Sequence, residues 1–235
     1  MEILLHKSDS RGTASFGWLH SRHTFSFGHY FDPDRIQFGA LRVLNDDIVQ
    51  PGQGFGTHPH DNMEIVSIPL QGALAHKDST GNEEVINTGE VQIMSAGTGL
   101  THSEYNHSST EKVNFLQIWV LPKERNIKPR YDQRVYREED RINKWQTVVA
   151  PDQEEALWIN QDAWFNLTQL QRDRSVKYPL HKENSGVYLF IIDGSIEVEG
   201  TEYHKRDGLG ISETDQVAIK ASSDASLLLI EVPMN

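Results

Sequence analysis

Short apolar runs punctuated by turn residues recur along this chain, and that pattern leaves few folds open. Runs at Phe38 to Leu44, Ile65 to Leu70, Val91 to Met94 and Phe115 to Leu121 are separated by Gly, Asn, Asp or Ser. Val187 to Ile192, Ser195 to Val198, Gln216 to Ile219 and Leu227 to Val232 repeat the pattern further on. Runs of about four to eight residues between turn signals read as β-strands. Outside the middle of the chain no useful stretch carries the 3.6-residue period of an amphipathic helix. Regular short strands of this kind predict an all-β sandwich or barrel.

The middle differs in composition. Residues 123–144 carry eight Lys/Arg against five Asp/Glu, a local +3, so the rest of the chain bears −15 of the formal −12 total. With Pro129 and few apolar residues, the segment predicts a charged connector crossing the surface, with a short helical turn around Arg137 to Asn143. A docking patch is the alternative reading. The halves on either side echo one another. Ile68 to Gly72 parallels Phe190 to Gly194, Thr88 to Ile93 parallels Arg206 to Ile211, and Leu116 to Pro122 parallels Leu227 to Pro233. The same order of strands and turns suggests two copies of one β-unit, residues 1–122 and 145–235.

The residues that carry chemistry are His58-Pro59-His60 and His102-Ser103-Glu104. Side chains at i and i+2 of a strand share a face, so each pair projects together. If the two strands line one interior, three imidazoles and a carboxylate converge, a mixed nitrogen and oxygen set suited to a first-row divalent metal. Four protein ligands leave two octahedral positions for reactants. A lone His-x-His is commonly just a hydrogen-bonded pair, and eleven His make chance pairing easy. The His-x-Glu pair is what discriminates. Gly52, Gly54, Gly56, Gly97 and Gly99 frame both pairs. Gly52 to Gly56 is not a phosphate loop, because a His-Pro-His strand follows it where a helix is required. His20, His23 and His29 lie among Phe25, Phe27, Tyr30 and Phe31 and predict a packed aromatic strand, with a pocket wall as the alternative. His76 and His107 are expected to be exposed or hydrogen-bonded.

Other chemistries are excluded or disfavoured. The absence of Cys removes disulfides, thiolate metal sites and a thiol nucleophile. No Gly-x-Ser-x-Gly elbow is present. The opening residues have no apolar targeting core and no run of about 18 apolar residues occurs, so neither secretion nor membrane spanning is expected, and a cytoplasmic location is. The net acidity argues against nucleic acid as a partner.

The stretch from Gly52 to Gly72, GQGFGTHPHDNMEIVSIPLQG, resembles the first cupin motif, with a Glu64-to-Gly72 gap one residue longer than usual. Gly89 to Asn106, GEVQIMSAGTGLTHSEYN, resembles the second, but Ser95 replaces the usual Pro and the Gly97-to-His102 gap is longer. The departures in this second motif resemble those of the pirin branch of the cupins. So do GWLHSRHTFSF (17–27), YFDP (30–33), LRVLND (41–46), THPH (57–60) and MSAGTGLTHSEYN (94–106). The resemblance runs over nearly the whole chain and points to bacterial pirin-like proteins of the quercetin 2,3-dioxygenase type.

That resemblance implies a bicupin, two tandem jelly-roll-like β-barrels with metal in the first only. It implies His58, His60, His102 and Glu104 as ligands, and Glu64 as a residue behind them; Glu64 stands where many other cupins place their carboxylate ligand, so an exchange of the two glutamates is the alternative. The metal would be Fe(II) first, with Mn, Co, Ni, Cu or Zn accepting the same set. The substrates would be a small flavonol-like aromatic, bound through a deprotonated hydroxyl, and dioxygen, which cleaves the heterocycle with loss of carbon monoxide. Glu104 is also the candidate catalytic base, since a carboxylate beside a metal-bound hydroxyl is within transfer reach. In the second half, ungapped alignment places Leu180, Lys182 and Gly186 at the slots of His58, His60 and Glu64, with His181 at the outward slot. A metal site is not expected there. Two rivals stand beside the dioxygenase: a non-catalytic metal and redox sensor that binds protein partners, and a zinc-type hydrolase or isomerase on the same fold.

Overall fold

A computed structural model describes residues 1–234. The chain is all-β and forms two barrels, each made of a seven-stranded and a four-stranded antiparallel-rich sheet. All eight strands expected from the apolar runs form, most of them longer by a residue or more. Extension is cheap where the flanking backbone can still pair, so hydrogen bonding rather than apolarity sets the ends.

In the first half, strand Val113–Val120 pairs with Leu41–Val49 on one side and Glu64–Gln71 on the other. The four-stranded sheet opposite runs Gly54–His60, Leu100–Asn106, Ala73–Asp78, Glu83–Asn87. The second half repeats this plan around Ala225–Pro233, flanked by Ser185–Asp193 and Trp164–Leu170.

The two seven-stranded sheets pack through one shared core. Val66, Ile68, Leu116 and Ile118 of the first meet Phe190, Leu228 and Ile230 of the second. Because strand side chains alternate, the neighbouring residues Ile65, Ser67, Phe115, Gln117 and Trp119 are left to face the first barrel's own interior. That alternation sorts every candidate residue below.

The interiors of the two barrels differ in kind. The second is dominated by a continuous apolar cluster from Leu170 to Leu229, with buried Asn166 and Glu231 meeting at the Tyr178 hydroxyl. The first holds only small apolar clusters, and between them lie buried Asp47, Ser67, His76, His102 and Glu104. A buried polar interior is costly unless each group is paired or serves a ligand.

Two segments complete the sheet edges. The expected connector 123–144 carries strand Arg130–Val135, which pairs with Glu90–Ser95 at the edge of the first sheet. A short 3-10 helix follows at Glu138–Arg141, where the helical turn was expected. Its charges stay in solvent while its backbone covers an otherwise open edge, which composition cannot show. Correspondingly, strand Glu2–His6 pairs with Gly208–Ser212, at the edge of the second sheet. Ile3 and Leu5 dock there on the second barrel's core.

Candidate metal centre

The two histidine-bearing strands are neighbours in one sheet. His58 lies directly opposite His102, and His60 opposite Leu100. The register shifts between His102 and Glu104, so that Glu104 pairs with Phe55 and the Gly54–His60 strand carries one extra residue. Such a bulge re-aims side chains beside a site. Close approach explains one of the glycines: a Cβ on Gly54 would run into the Glu104 carbonyl and Tyr105.

His58, His60 and His102 converge with potential ligand atoms all within 4.8 Å of one another. Nε2 of His58 and Nε2 of His102 are 3.0 Å apart. His58 donates Nδ1–H to the Gly56 carbonyl at 2.8 Å, which leaves its Nε2 lone pair facing the cluster. His60 Nε2 is buried without a hydrogen-bond partner. Burial, followed by the neighbouring His58, lowers His60 to about 4, and burial with the other imidazoles lowers His102 to about 2. Imidazole ligates a metal through the lone pair of its neutral ring, the state that burial favours at His60 and His102, so the donor set fits a divalent ion.

Glu104 stands one step deeper. It groups with His102 and His76 rather than with all three of the first histidines. Gln117 donates to one carboxylate oxygen at 2.6 Å, and the Ser67 hydroxyl lies 3.2 Å from the other. Ser67 also lies 3.0 Å from the Gln117 carbonyl oxygen and has one proton to share between them. Burial pushes Glu104 up to about 7, opposed by those hydrogen bonds. His102 thus joins two clusters, one partly exposed and one buried.

The structure places Glu64 elsewhere. It shares the parity of Val66 and Ile68 and so faces the junction of the barrels, where it accepts from Ser95 Oγ at 2.8 Å and from the Asn160 backbone at 3.1 Å. The expectation that Glu64 backs the histidines is corrected by this alternation. Burial raises its pKa to about 7.

Several residues around the centre carry no sequence motif. His76 is buried, its Nε2 3.1 Å from Asp78, and its ring packs on Tyr131 from the edge strand, centroids 4.7 Å apart. Trp119 sets its ring edge-on to His60 at 4.9 Å. Spacing two residues apart could have flagged Ser67, Gln117 and Trp119, once their strands were known to neighbour the site. His58, His60, Met63, Leu100, Thr101 and Trp119 line an open cavity of ≈ 900 Å³.

In the second barrel His181 does not point to a metal set. Its ring stacks on Trp164 at 4.4 Å, and its Nδ1 lies 2.9 Å from buried Glu231. Among the described residues, both groups able to hold a metal belong to the first barrel.

Fold and centre together define a bicupin whose metal-binding His/Glu group sits in one barrel. A model of the pirin family matches residues 5–120, and one of the quercetinase C-terminal cupin domain matches residues 147–232. The chain is 44% identical over 232 residues to the quercetin 2,3-dioxygenase of Escherichia coli K12, covering 98% of this chain and 99% of that one. It is 39% identical to a pirin-like protein of Caulobacter vibrioides, covering 95% and 96%. The crystal structure of the Escherichia coli bacterial pirin YhhW in complex with nickel(II) superimposes with a TM-score of 0.94, at 42% identity over the full length of both. This chain therefore belongs to the pirin family of the cupin superfamily. By kind it is a cupin dioxygenase, an oxidoreductase.

Proposed function

We propose that this chain is a metal-dependent dioxygenase that opens a flavonol-like aromatic, with one divalent metal, Fe(II) first, held by His58, His60, His102 and Glu104. The observation that carries the reading is three imidazoles converging beside an open cavity of ≈ 900 Å³ that His58 and His60 line. The 44% identical quercetin 2,3-dioxygenase supports the substrate class.

When bound, the metal would acidify a coordinated hydroxyl and bring it beside dioxygen. The chain's own residues do the rest. His58 is fixed in its tautomer by Gly56, and Trp119 braces His60, so two ligands are oriented before anything binds. Glu104 takes the hydroxyl proton on a carboxylate oxygen, while Gln117 steadies the other. Trp119, Met63 and Leu100 supply the apolar wall against which a flat ring can lie.

The test is elemental analysis of protein purified without added metal, followed by oxygen uptake and loss of quercetin. About one metal per chain and stoichiometric oxygen consumption are expected. His58→Ala, His60→Ala and His102→Ala should each lose the metal and the activity while melting as folded bicupins. Retained metal without oxygen uptake would sink the dioxygenase reading in favour of a non-catalytic metal-binding role. Full occupancy in one of the alanine variants would remove that residue from the site.

A further inference from the structure

The rim of the metal cavity is built from segments that meet through backbone hydrogen bonds. The turn after strand Gly54–His60 supplies Asp61 and Met63, and the loop before Leu100–Asn106 supplies Thr98 and Gly99. Between Asp61 and Met63, Asn62 adopts a positive φ of 45° and donates its N–H to the Gly97 carbonyl at 2.9 Å. Asn tolerates that left-handed conformation better than most residues do.

The charged connector clasps both segments. Asn126 donates its N–H to the Asn62 side-chain oxygen at 2.7 Å, and Thr98 donates its N–H to the Ile127 carbonyl at 2.9 Å. Gly97 lies so near that carbonyl that a Cβ would collide with it. The mouth is thus braced from outside, and what it presents is fixed before a substrate arrives.

Asp61 is the exceptional member. It follows His60 directly in the chain and is the single Asp, Glu, Lys or Arg of the lining, whose other polar groups besides imidazoles are the hydroxyls of Ser79, Thr98 and Thr101. Its side chain is exposed and within reach of an occupant. Its Oδ1 accepts from Asn62 Nδ2 at 3.3 Å, and among the described residues no Lys or Arg pairs with it. Ser and Thr hydroxyls both donate and accept, so they suit a hydroxyl or an anion alike. A carboxylate only accepts, so it favours a hydroxyl and repels an anion. By the reading above the metal takes one deprotonated hydroxyl. A further acidic group would face Asp61, find no Lys or Arg in the lining, and enter the field of a chain of formal charge −12.

We infer that Asp61 determines specificity: its carboxylate accepts a hydrogen bond from a hydroxyl on the substrate's second ring, so the cavity takes uncharged, polyhydroxylated flavonol-like aromatics and rejects those bearing a sulfonate or carboxylate. This rests on the dioxygenase reading proposed above and adds the substitution pattern that the substrate carries.

Anaerobic titration of the metal-loaded full chain, followed by quenching of tryptophan fluorescence, tests it, because without dioxygen binding is read apart from turnover. The parent should bind quercetin, which has a dihydroxyphenyl ring, about tenfold more tightly than galangin, whose phenyl ring is bare; that is the effect of one hydrogen bond to a charged group. Sulfonated quercetin should bind the parent more weakly than quercetin does. Asp61→Ala should bind quercetin and galangin alike and gain at least threefold for sulfonated quercetin. Asp61→Asn, with a neutral acceptor, should keep a preference of about threefold. Metal content and melting temperature should match the parent in both variants, since Asp61 is exposed. A quercetin preference that survives in Asp61→Ala, or a parent that binds sulfonated quercetin as tightly as quercetin, would overturn the role of Asp61 and leave the dioxygenase reading standing. A parent that binds neither flavonol would overturn both.

Discussion

Glu64 and Glu104 are both buried carboxylates raised to about 7, yet they face opposite sides of the first seven-stranded sheet. Glu104→Gln should therefore abolish most turnover even where metal is forced in, because an amide cannot take the substrate proton. Glu64→Gln should keep metal and turnover, and show itself as a lower melting temperature through the weakened contact with Asn160. Metal titration and quercetin consumption on the two variants side by side check this; a dead Glu64→Gln beside a working Glu104→Gln would reverse the assignment. Asp47 gives a prediction about pH. Burial raises it from 3.8 to about 7, with Asp46 adding and Ser21 opposing. Glu104 is the other buried acid coupled to it. The folded chain then keeps a proton that the unfolded chain releases, so this residue's share of stability is full below about pH 4 and is lost as pH rises towards about 7. Asp47→Asn should flatten the fall in melting temperature across that window; an unchanged slope would show that Asp47 does not carry it.

The strand Gly54–His60 is the element on which the site depends. Its bulge and its close approach to Glu104 and Tyr105 are possible because residue 54 has no side chain. Gly54→Val should push this strand from Leu100–Asn106, costing about 1–3 kcal/mol as overpacking does. Since His58 and His102 face one another across that pair, metal affinity should fall with it. Urea denaturation and metal titration on the same variant measure both, and normal metal affinity would mean the pairing tolerates a Cβ there. The edge strand Arg130–Val135 matters differently: it brings Tyr131 against His76, behind His102. A charged segment thus reaches the site through one aromatic side chain.

At the scale of the molecule, the barrels are joined by the shared apolar core and by polar contacts, among them a charged lock. Arg206 of the second barrel lies 3.1 Å from Asp46 of the first and donates to Asn114 at 3.1 Å. Asn114 donates in turn to Asp46 at 2.8 Å, and Arg11 stands 3.7 Å from the same carboxylate. Removing one partner of a buried pair costs about 3–5 kcal/mol. Arg206→Met should cost somewhat less, about 2–4 kcal/mol, because Arg11 still faces Asp46. It should shift the denaturation midpoint of the whole chain in one transition; a first barrel that unfolds separately at its old midpoint would mean that the lock couples nothing. The second barrel's interior is mostly apolar, with one buried polar group of Asn166, Tyr178, His181 and Glu231, and among the described residues it holds no group able to take a metal.

The local pattern of the sequence determined the all-β class, the repeat of one unit, and the pairing of His58 with His60 and of His102 with Glu104, because strand alternation is a property of neighbours along the chain. The cupin and pirin motifs, being local strings, were legible for the same reason. Tertiary structure alone decided which strands lie side by side. That decision set His58 opposite His102, drew Glu104 in among Ser67, Gln117 and His76, and turned Glu64 to the far face. It also put residues 2–6 on the second barrel and residues 130–135 on the first. Edge pairing joins segments far apart in the chain through backbone groups that every residue carries, so side-chain composition holds no record of it.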